Sequence, residues 1–275
     1  MEDAISIAKL PIARFSEKGR IDIDDVVTVE EPLEIFVDDE PFYTTMRMPG
    51  EEIPLALGLC FTDGIIDSME DVTGANYCSD ISRNKINIYL SPKSKKESLE
   101  NHRKNRFPTY SSCGICGKDM VDSAFKPLGR IGNRVEVDIS QILAMQAVLQ
   151  ERQHVFPLTG GTHAAGIFSV EGELLSLSED VGRHNALDKA IGKLLFGKSI
   201  DKAAVSVLSS RLSFEMVQKA ARLGVEILCG ASSPTSLAID LAKASNLTLI
   251  GFLRENRGNV YTCPERIKTT PTVRN

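Results

Sequence analysis

The chemistry that this sequence could perform starts from two cysteines, Cys113 and Cys116, which stand three positions apart. Small and polar residues surround them, so the adjacent sequence offers no apolar wall that would bury the thiols. Thiols at this spacing could form half of a zinc site, act as a thioredoxin-like redox pair, or carry a group such as sulfur as a persulfide. All three interpretations, and that of an incidental pair of loop cysteines, stay open on the residues alone.

The zinc and thioredoxin interpretations each lack a companion feature. A zinc site normally takes a second pair of ligands at similar spacing, and the remaining cysteines form no such pair. No strand of a β-α-β unit leads into the motif, as it would in a thioredoxin. The isolated cysteines are predicted to be packing residues rather than parts of a disulfide framework. They are Cys60, Cys78, Cys229 and Cys263.

A second candidate segment contains Gly160, Gly161, Thr162 and His163, which precede a predicted strand. Paired glycines permit positive φ and would let backbone N–H groups approach a ligand. The alternative is an ordinary tight turn, with His163 as a structural histidine.

A third candidate is a predicted helix start at Arg183 and His184. Cations at the positive end of a helix are locally unfavourable unless an anion joins them, so this pair indicates anion binding. In the alternative, Asp180 is only an N-cap, and Asp188 and Lys189 belong to a solvated face.

The fourth candidate is the stretch that follows the last predicted strand. Open α/β sheets bind ligands at the carboxyl ends of their strands, and arginine forks suit phosphate oxygens. The alternative is that the arginines are only solvated. The stretch consists of Phe252, Leu253, Arg254, Glu255, Asn256 and Arg257.

The length, composition and charge of the chain limit the class of protein to which it can belong. A length of 275 residues predicts one large domain or two small ones, and 42% apolar with 25% charged residues indicates a globular chain. The 32 basic and 37 acidic residues leave a net charge of −5, which argues against a dedicated nucleic-acid binder. No apolar run suits a signal peptide or a membrane span, so we expect a cytoplasmic protein with no membrane partner.

The first half of the chain predicts an α+β arrangement. Residues 1–20 resemble a loose lead-in, and residues 33–37 and 42–46 predict a hairpin with a four-residue loop. A helix is expected over residues 51–62 and a strand over residues 86–90. The basic stretch of residues 91–106 predicts a solvated segment or a functional mobile loop ahead of the cysteines.

The second half predicts alternating strands and helices with short connections, and hence parallel strands with right-handed crossovers. A helix opening at Ser233 and Pro234 is expected from an N-cap followed by proline. Strands are expected over residues 164–169, 173–177, 203–208, 225–229 and 247–252. The other helices are expected over residues 139–150, 183–195 and 214–223.

These segments together resemble the FdhD/NarQ family of formate dehydrogenase accessory proteins over about residues 30–261. No single motif is specific, but their order along the chain is. The matching segments are 31–35, 46–50, 56–58, 61–66, the cysteine motif, 159–166, 179–189 and 232–238. Met48 and Asp63 stand where the family often has Thr and Glu, which leaves the expected chemistry untouched.

The resemblance implies a sulfur carrier or sulfurtransferase. A cysteine desulfurase would load Cys113 as a persulfide, with Cys116 as its partner. The sulfur would pass to molybdenum in the bis-molybdopterin guanine dinucleotide cofactor, before that cofactor enters formate dehydrogenase. The resemblance also implies a homodimer, cofactor binding at residues 252–257, and GDP as a fragment that mimics the cofactor. The alternative function is a non-catalytic chaperone of cofactor and apo-enzyme, with the cysteines as a zinc or redox clasp.

The family resemblance also sets the expected domains. Residues 1–130 would form an N-terminal α+β domain ending in the cysteine loop, and residues 131–275 a cytidine-deaminase-like α/β domain. In deaminases, zinc ligands stand at two helix starts. By the same resemblance, His184 and Ser210 occupy those positions here, without cysteines or a suitable glutamate, so no metal is expected.

Overall fold

The computed structural model describes residues 6–78, 84–95, 131–254 and 256–268. Cys113, Cys116 and Glu255 lie outside the described residues, as does most of the basic stretch before the cysteines. The described part is a mixed α+β structure, which confirms the expected fold class at that level. The likeness to cytidine deaminases and the domain division stay predictions from the resemblance.

The described chain opens with a two-stranded antiparallel hairpin, so the expectation of a loose lead-in over residues 1–20 is wrong for residues 7–20. Strand β1 (Ile7–Ser16) pairs with β2 (Gly19–Thr28) along its whole length. Much of this hairpin is exposed, because a ribbon of two strands covers only part of its own apolar surface. Its root meets the body of the protein, where Ser6 Oγ donates to Pro49 O at 3.2 Å.

A four-stranded sheet follows, in the order β4-β3-β6-β5. Its strands are β3 (Glu31–Val37), β4 (Glu40–Arg47), β5 (Val72–Tyr77) and β6 (Lys85–Leu90). The predicted β3–β4 hairpin is confirmed, but its connection has two residues instead of four. Asp38 and Asp39 both have positive φ, as a tight hairpin turn of the right twist requires.

A six-stranded sheet forms the second half, in the order β13-β12-β11-β10-β8-β9. The three strands β10, β11 and β12 are parallel, as predicted, while β8 and β13 run antiparallel to them and β9 pairs antiparallel with β8. The strands are β8 (His163–Phe168), β9 (Leu174–Asp180), β10 (Val205–Leu208), β11 (Ile227–Gly230), β12 (Thr248–Arg254) and β13 (Arg257–Val260). A short parallel pair joins β7 (Val137–Asp138) to β14 (Ile267–Lys268).

The helices begin and end close to the predicted positions, with one correction. They are α1 (Glu52–Thr62), α2 (Ile139–Glu151), α3 (Phe156–Thr159), α4 (Arg183–Phe196), α5 (Phe214–Leu223) and α6 (Ser236–Ala244). Helix α6 is capped by Thr235, whose Oγ1 accepts from Ala238 N at 3.3 Å, and not by Ser233. None of the helices in the described ranges is both long and apolar enough to cross a bilayer.

Helices α1 and α4 cross at backbone contact, and this crossing joins the two halves of the chain. A Cβ at Gly58 would lie 1.8 Å from the carbonyl oxygen of Asp188. A Cβ at Gly192 would lie 1.8 Å from the carbonyl oxygen of Pro54. One continuous apolar core runs through this layer from the four-stranded sheet to one face of the six-stranded sheet. A second core lies between the opposite face of that sheet and α2.

Candidate ligand-binding site

A cavity of about 550 Å³ lies at the carboxyl ends of β10 and β11, beside α2. Its size is within the usual range of small-molecule sites. The position agrees with the rule that open α/β sheets bind ligands at their strand ends. The lining residues are Gln146, Leu149, Gln150, Gln153, Phe156, Gly160, Gly161, Thr162, His163, Val181, Leu208, Ser209 and Ala231.

The glycine segment lines this cavity as expected, but the proposed reason for its glycines is wrong. Gly160 N donates to Phe156 O at 2.8 Å and Gly161 N donates to the Thr159 hydroxyl at 3.1 Å, so both N–H groups are already used. Gly160 has φ of 63°, which favours glycine. At Gly161, a Cβ would lie 2.6 Å from Thr28 Oγ1. The glycines therefore shape the cavity wall and do not offer it these donors.

Glu179 organises the segment that leads into this wall. Its carboxylate accepts hydrogen bonds from the backbone N–H groups of His154 (2.7 Å), Val155 (2.9 Å) and Phe156 (2.9 Å). It also accepts from the Thr162 hydroxyl at 2.8 Å. Burial would raise the pKa of Glu179, but these hydrogen bonds outweigh burial and hold its pKa below the ordinary value. The carboxylate stays charged and keeps residues 154–162 in one shape.

A group of basic side chains surrounds His163 at the cavity. Burial lowers the pKa of His163, and the charges of Arg183, Arg211 and His184 lower it further. Asp180 opposes this shift. Cationic side chains that lower the pKa of a neighbouring histidine indicate positive potential at the site, which suits an anionic ligand. The structure thus places Arg183 and His184 close enough to the glycine segment for their charges to act on His163.

The start of α4 is also held by structural contacts that the sequence did not predict. Gly182, not Asp180, is the N-cap of this helix. Asp188 and Lys189 are buried, so the alternative of a solvated face is wrong. Asp188 Oδ2 pairs with Lys219 Nζ at 2.8 Å. His184 Nε2 lies 2.6 Å from Glu215 Oε2, which lowers the pKa of Glu215 chiefly through this hydrogen bond.

The predicted cofactor stretch lies next to the cavity rather than in its wall. Leu253 is part of the apolar core, and its carbonyl accepts from Gln146 Nε2 at 2.8 Å. Phe252, with φ of 52°, donates its N–H to Ser232 O at 3.1 Å. Arg254 and Arg257 are exposed and face each other across the β12–β13 hairpin, near Asn256 at its turn.

The chain that follows the cysteine motif is anchored where strands of the six-stranded sheet begin, at the end of the sheet opposite the cavity. Glu226, just before β11, accepts from the N–H groups of Arg134 at 2.8 Å and Val135 at 2.9 Å. Ile131 N donates to the carbonyl of Ser245 at 3.0 Å, just before β12. Glu226 thus stands at the amino end of β11, a strand whose carboxyl end borders the cavity.

The four cysteines outside the motif divide into two groups. Cys60 and Cys229 are fully buried, and burial raises the pKa of both thiols, so they pack as predicted and are poor nucleophiles. Cys78 is exposed, so the prediction that it is a packing residue is wrong. Cys263 is half-buried.

Sequence reasoning missed several residues of the cavity. Gln146 and Gln150 lie one turn apart on α2, and Gln153 follows just after the end of this helix, so three amides line the cavity at the strand ends. Ser209 Oγ accepts from Ala164 N at 2.8 Å, which leaves its hydroxyl proton for another acceptor. The glutamine spacing could have been found from the sequence, whereas the bond to Ser209 depends on strand register.

Comparisons with known proteins give one consistent result. The family model described as the FdhD/NarQ family matches residues 28–268. The sulfur carrier protein FdhD of Sulfolobus acidocaldarius is 38% identical over 266 residues, which cover 96% of this chain and 99% of that protein. The protein of the same description from Picrophilus torridus is 40% identical over 252 residues, which cover 89% and 93%.

A solved structure is similar over nearly the same length. It is the crystal structure of a protein proposed to be a formate dehydrogenase accessory protein, from Desulfotalea psychrophila. The TM-score is 0.76 at 26% sequence identity, with 95% of this chain and 99% of that chain covered. The likeness extends to the arrangement of the described sheets and helices as a whole.

Proposed function

The chain belongs to the FdhD/NarQ family, and on that premise we propose that it is a sulfur carrier for the maturation of formate dehydrogenase. Two kinds of support meet in this proposal. The curated relatives are named sulfur carrier proteins, and the chain has the Cys113–Cys116 motif that a carrier needs. The cavity beside His163 supplies a place for an anionic cargo.

The cargo in this proposal is the bis-molybdopterin guanine dinucleotide form of the molybdenum cofactor. The cavity of about 550 Å³ suits one guanine nucleotide arm rather than the whole cofactor. Arg183, Arg211 and the helix α4 start supply positive potential for its phosphates. The rest of the cofactor would lie outside the cavity, where Arg254 and Arg257 are exposed.

We propose a transfer in four steps. The Cys113 thiolate attacks the terminal sulfur of the desulfurase persulfide, an S–S bond breaks, and the desulfurase thiolate leaves. Once the cargo is bound, the Cys116 thiolate attacks Cys113 Sγ, which releases the terminal sulfur as hydrosulfide and leaves a Cys113–Cys116 disulfide. Hydrosulfide with one proton replaces an oxo group of the molybdenum cargo, which leaves as water. A dithiol reductant reopens the disulfide.

The observation that carries the proposal is the family match over residues 28–268 together with a cavity in a positive environment. The test is intact-mass spectrometry after incubation with a cysteine desulfurase and cysteine. We expect a gain of one sulfur on the wild type, no gain on Cys113→Ser, and an unchanged gain on Cys78→Ser, since Cys78 is an exposed thiol outside the motif.

The second candidate function is a chaperone that binds cofactor and apo-enzyme without carrying sulfur. It is favoured by the same cavity, because binding a nucleotide arm does not require a persulfide. In the mass experiment this function predicts one bound zinc or a disulfide, with no sulfur gain. The sulfur-carrier proposal also includes a cytoplasmic location, a cysteine desulfurase as partner and a homodimer.

A further inference from the structure

The wall of the cavity is contacted by a residue that is distant from it in sequence. Thr28 is the last residue of β2, at the root of the N-terminal hairpin. Its side chain lies against the turn of residues 159–162, which we call the wall turn and which contributes three lining residues, Gly160, Gly161 and Thr162. This contact spans 131 positions in sequence.

The contact is a chain of hydrogen bonds centred on the Thr159 hydroxyl. Thr28 Oγ1 donates to Thr159 Oγ1 at 2.8 Å. Thr159 Oγ1 in turn donates to the Val155 carbonyl at 3.0 Å and accepts from Gly161 N at 3.1 Å. Both acceptor positions of the Thr159 oxygen and its one proton are therefore used, which fixes the hydroxyl in a single orientation.

Steric contact reinforces these hydrogen bonds. The position of a Cβ on Gly161 would lie 2.6 Å from Thr28 Oγ1 and 3.3 Å from Thr28 Cβ. Gly160 differs, because a Cβ there would have no heavy atom within 4 Å, although its φ is positive. Thr28 thus packs on the wall turn at Gly161, while Glu179 holds the same turn from the other side through Thr162.

We propose that Thr28 is a positioning residue of the cavity: its hydroxyl holds the wall turn in the shape that accepts the ligand. The proposal rests on the proposed function, because it takes a guanine nucleotide as the occupant of the cavity. It makes the N-terminal hairpin part of the ligand site, although the lining residues themselves come from the second half of the chain.

The first test compares two substitutions of Thr28 by calorimetric titration with GDP. Thr28→Val keeps the shape and removes the hydroxyl, whereas Thr28→Ser keeps the hydroxyl. We expect Thr28→Val to weaken GDP binding by about three- to tenfold, the effect of one net hydrogen bond, and Thr28→Ser to bind as the wild type does. Equal affinity of Thr28→Val and wild type would overturn the proposal.

A double-mutant cycle tests the contact itself. Gly161→Ala should weaken GDP binding by more than about tenfold in the wild type, because the new methyl group overlaps Thr28. In a Thr28→Ala background the same change should cost less than about twofold, since Thr28 Oγ1 at 2.6 Å is gone and the closest remaining atom is Thr28 Cβ at 3.3 Å. Gly160→Ala is the matched control, because its cost is backbone strain that Thr28→Ala cannot relieve. Additive effects of Thr28→Ala and Gly161→Ala would contradict the proposal.

Hydrogen exchange separates failure of this proposal from failure of the proposed function. In ligand-free protein, Thr28→Val should speed amide exchange at residues 160–162 and leave residues 227–230 of the central strand unchanged. If the wild type does not bind GDP, the proposed cargo site is wrong, and the positioning role for that ligand falls with it. If the wild type binds GDP but exchange and affinity are the same in Thr28→Val, only the inference about Thr28 is overturned.

Discussion

The ammonium of Lys189 lies 2.7 Å from the carboxylate of Asp180, and neither side chain has any exposed surface. Both groups also bind the backbone of Met48. Lys189 Nζ donates to Met48 O at 2.8 Å, and Met48 N donates to Asp180 Oδ2 at 3.1 Å. Two of the segments that carry the family resemblance, residues 46–50 and 179–189, are therefore fastened to each other.

Removal of one partner of this pair should be strongly destabilising. Lys189→Met leaves the Asp180 carboxylate buried without its cation, and we expect a loss of about 3–5 kcal/mol of unfolding free energy. Urea denaturation measures the loss. Lys243→Met, which removes an exposed lysine of α6, is the control and should change stability by less than about 0.5 kcal/mol. Equal stability of the two variants would show that the pair is not structurally important.

The helix crossing at Gly192 makes a second prediction about stability. Gly192→Ala places a methyl group into the carbonyl of Pro54, so α1 and α4 must move apart. We expect a loss of about 3 kcal/mol or more in unfolding free energy. Gly132→Ala is the control, since its nearest contact would be 3.7 Å, an ordinary distance. A Gly192→Ala protein as stable as Gly132→Ala would contradict the backbone crossing.

The two arginine pairs should differ in their effect on GDP binding. Arg183 and Arg211 act on His163 in the cavity wall, whereas Arg254 and Arg257 are exposed outside that wall. We expect the double change Arg183→Ala with Arg211→Ala to weaken GDP binding by about tenfold or more. Arg254→Ala with Arg257→Ala should matter less for GDP than for the whole cofactor. The reverse order of effects would move the phosphate site to the β12–β13 hairpin.

The pKa of His163 predicts how stability depends on pH. Because burial and nearby cations lower this pKa in the folded protein, the unfolded chain takes up a proton first as the pH falls. Stability from this residue is complete above the unfolded pKa of about 6.5 and is lost as the pH falls toward the folded pKa. We expect thermal denaturation of His163→Gln to show a smaller loss between pH 7 and 5 than the wild type. Parallel curves would refute the assignment.

Periodic apolar patterns predicted the elements of the second half well. Two strands, which end at Leu208 and Gly230, are continuous apolar runs. The helix that ends at Leu223 is amphipathic and is followed by a glycine. Such elements are recognisable because burial on one face or both constrains every residue in them. The cavity location also followed from the order of strands and helices.

Other features depended on contacts that no local pattern contains. The sequence does not predict the hairpin of residues 7–28. Its strands are largely exposed and contain Pro11, so they lack the regular alternation of apolar and polar residues that a half-buried strand shows. The structural role of Glu179 could not be predicted from the local sequence, because the backbone groups that bind its carboxylate lie about 20 positions away. The N–H groups of Gly160 and Gly161 were predicted to be free, but local turns use them before a ligand can.

The buried carboxylate of Glu226 has a consequence for where the chain can be shortened. Besides the backbone of residues 134–135, it pairs with Arg266 Nε at 3.2 Å, and Arg266 also donates to Gly132 O at 2.6 Å. Arg266 is 1% exposed although it lies only a few residues before the end of the described chain. Cutting the chain before Arg266 would strip a buried anion of its cation and loosen the segment that follows the cysteine motif. A C-terminal fusion or affinity tag therefore has to begin beyond Lys268, where the last short strand ends.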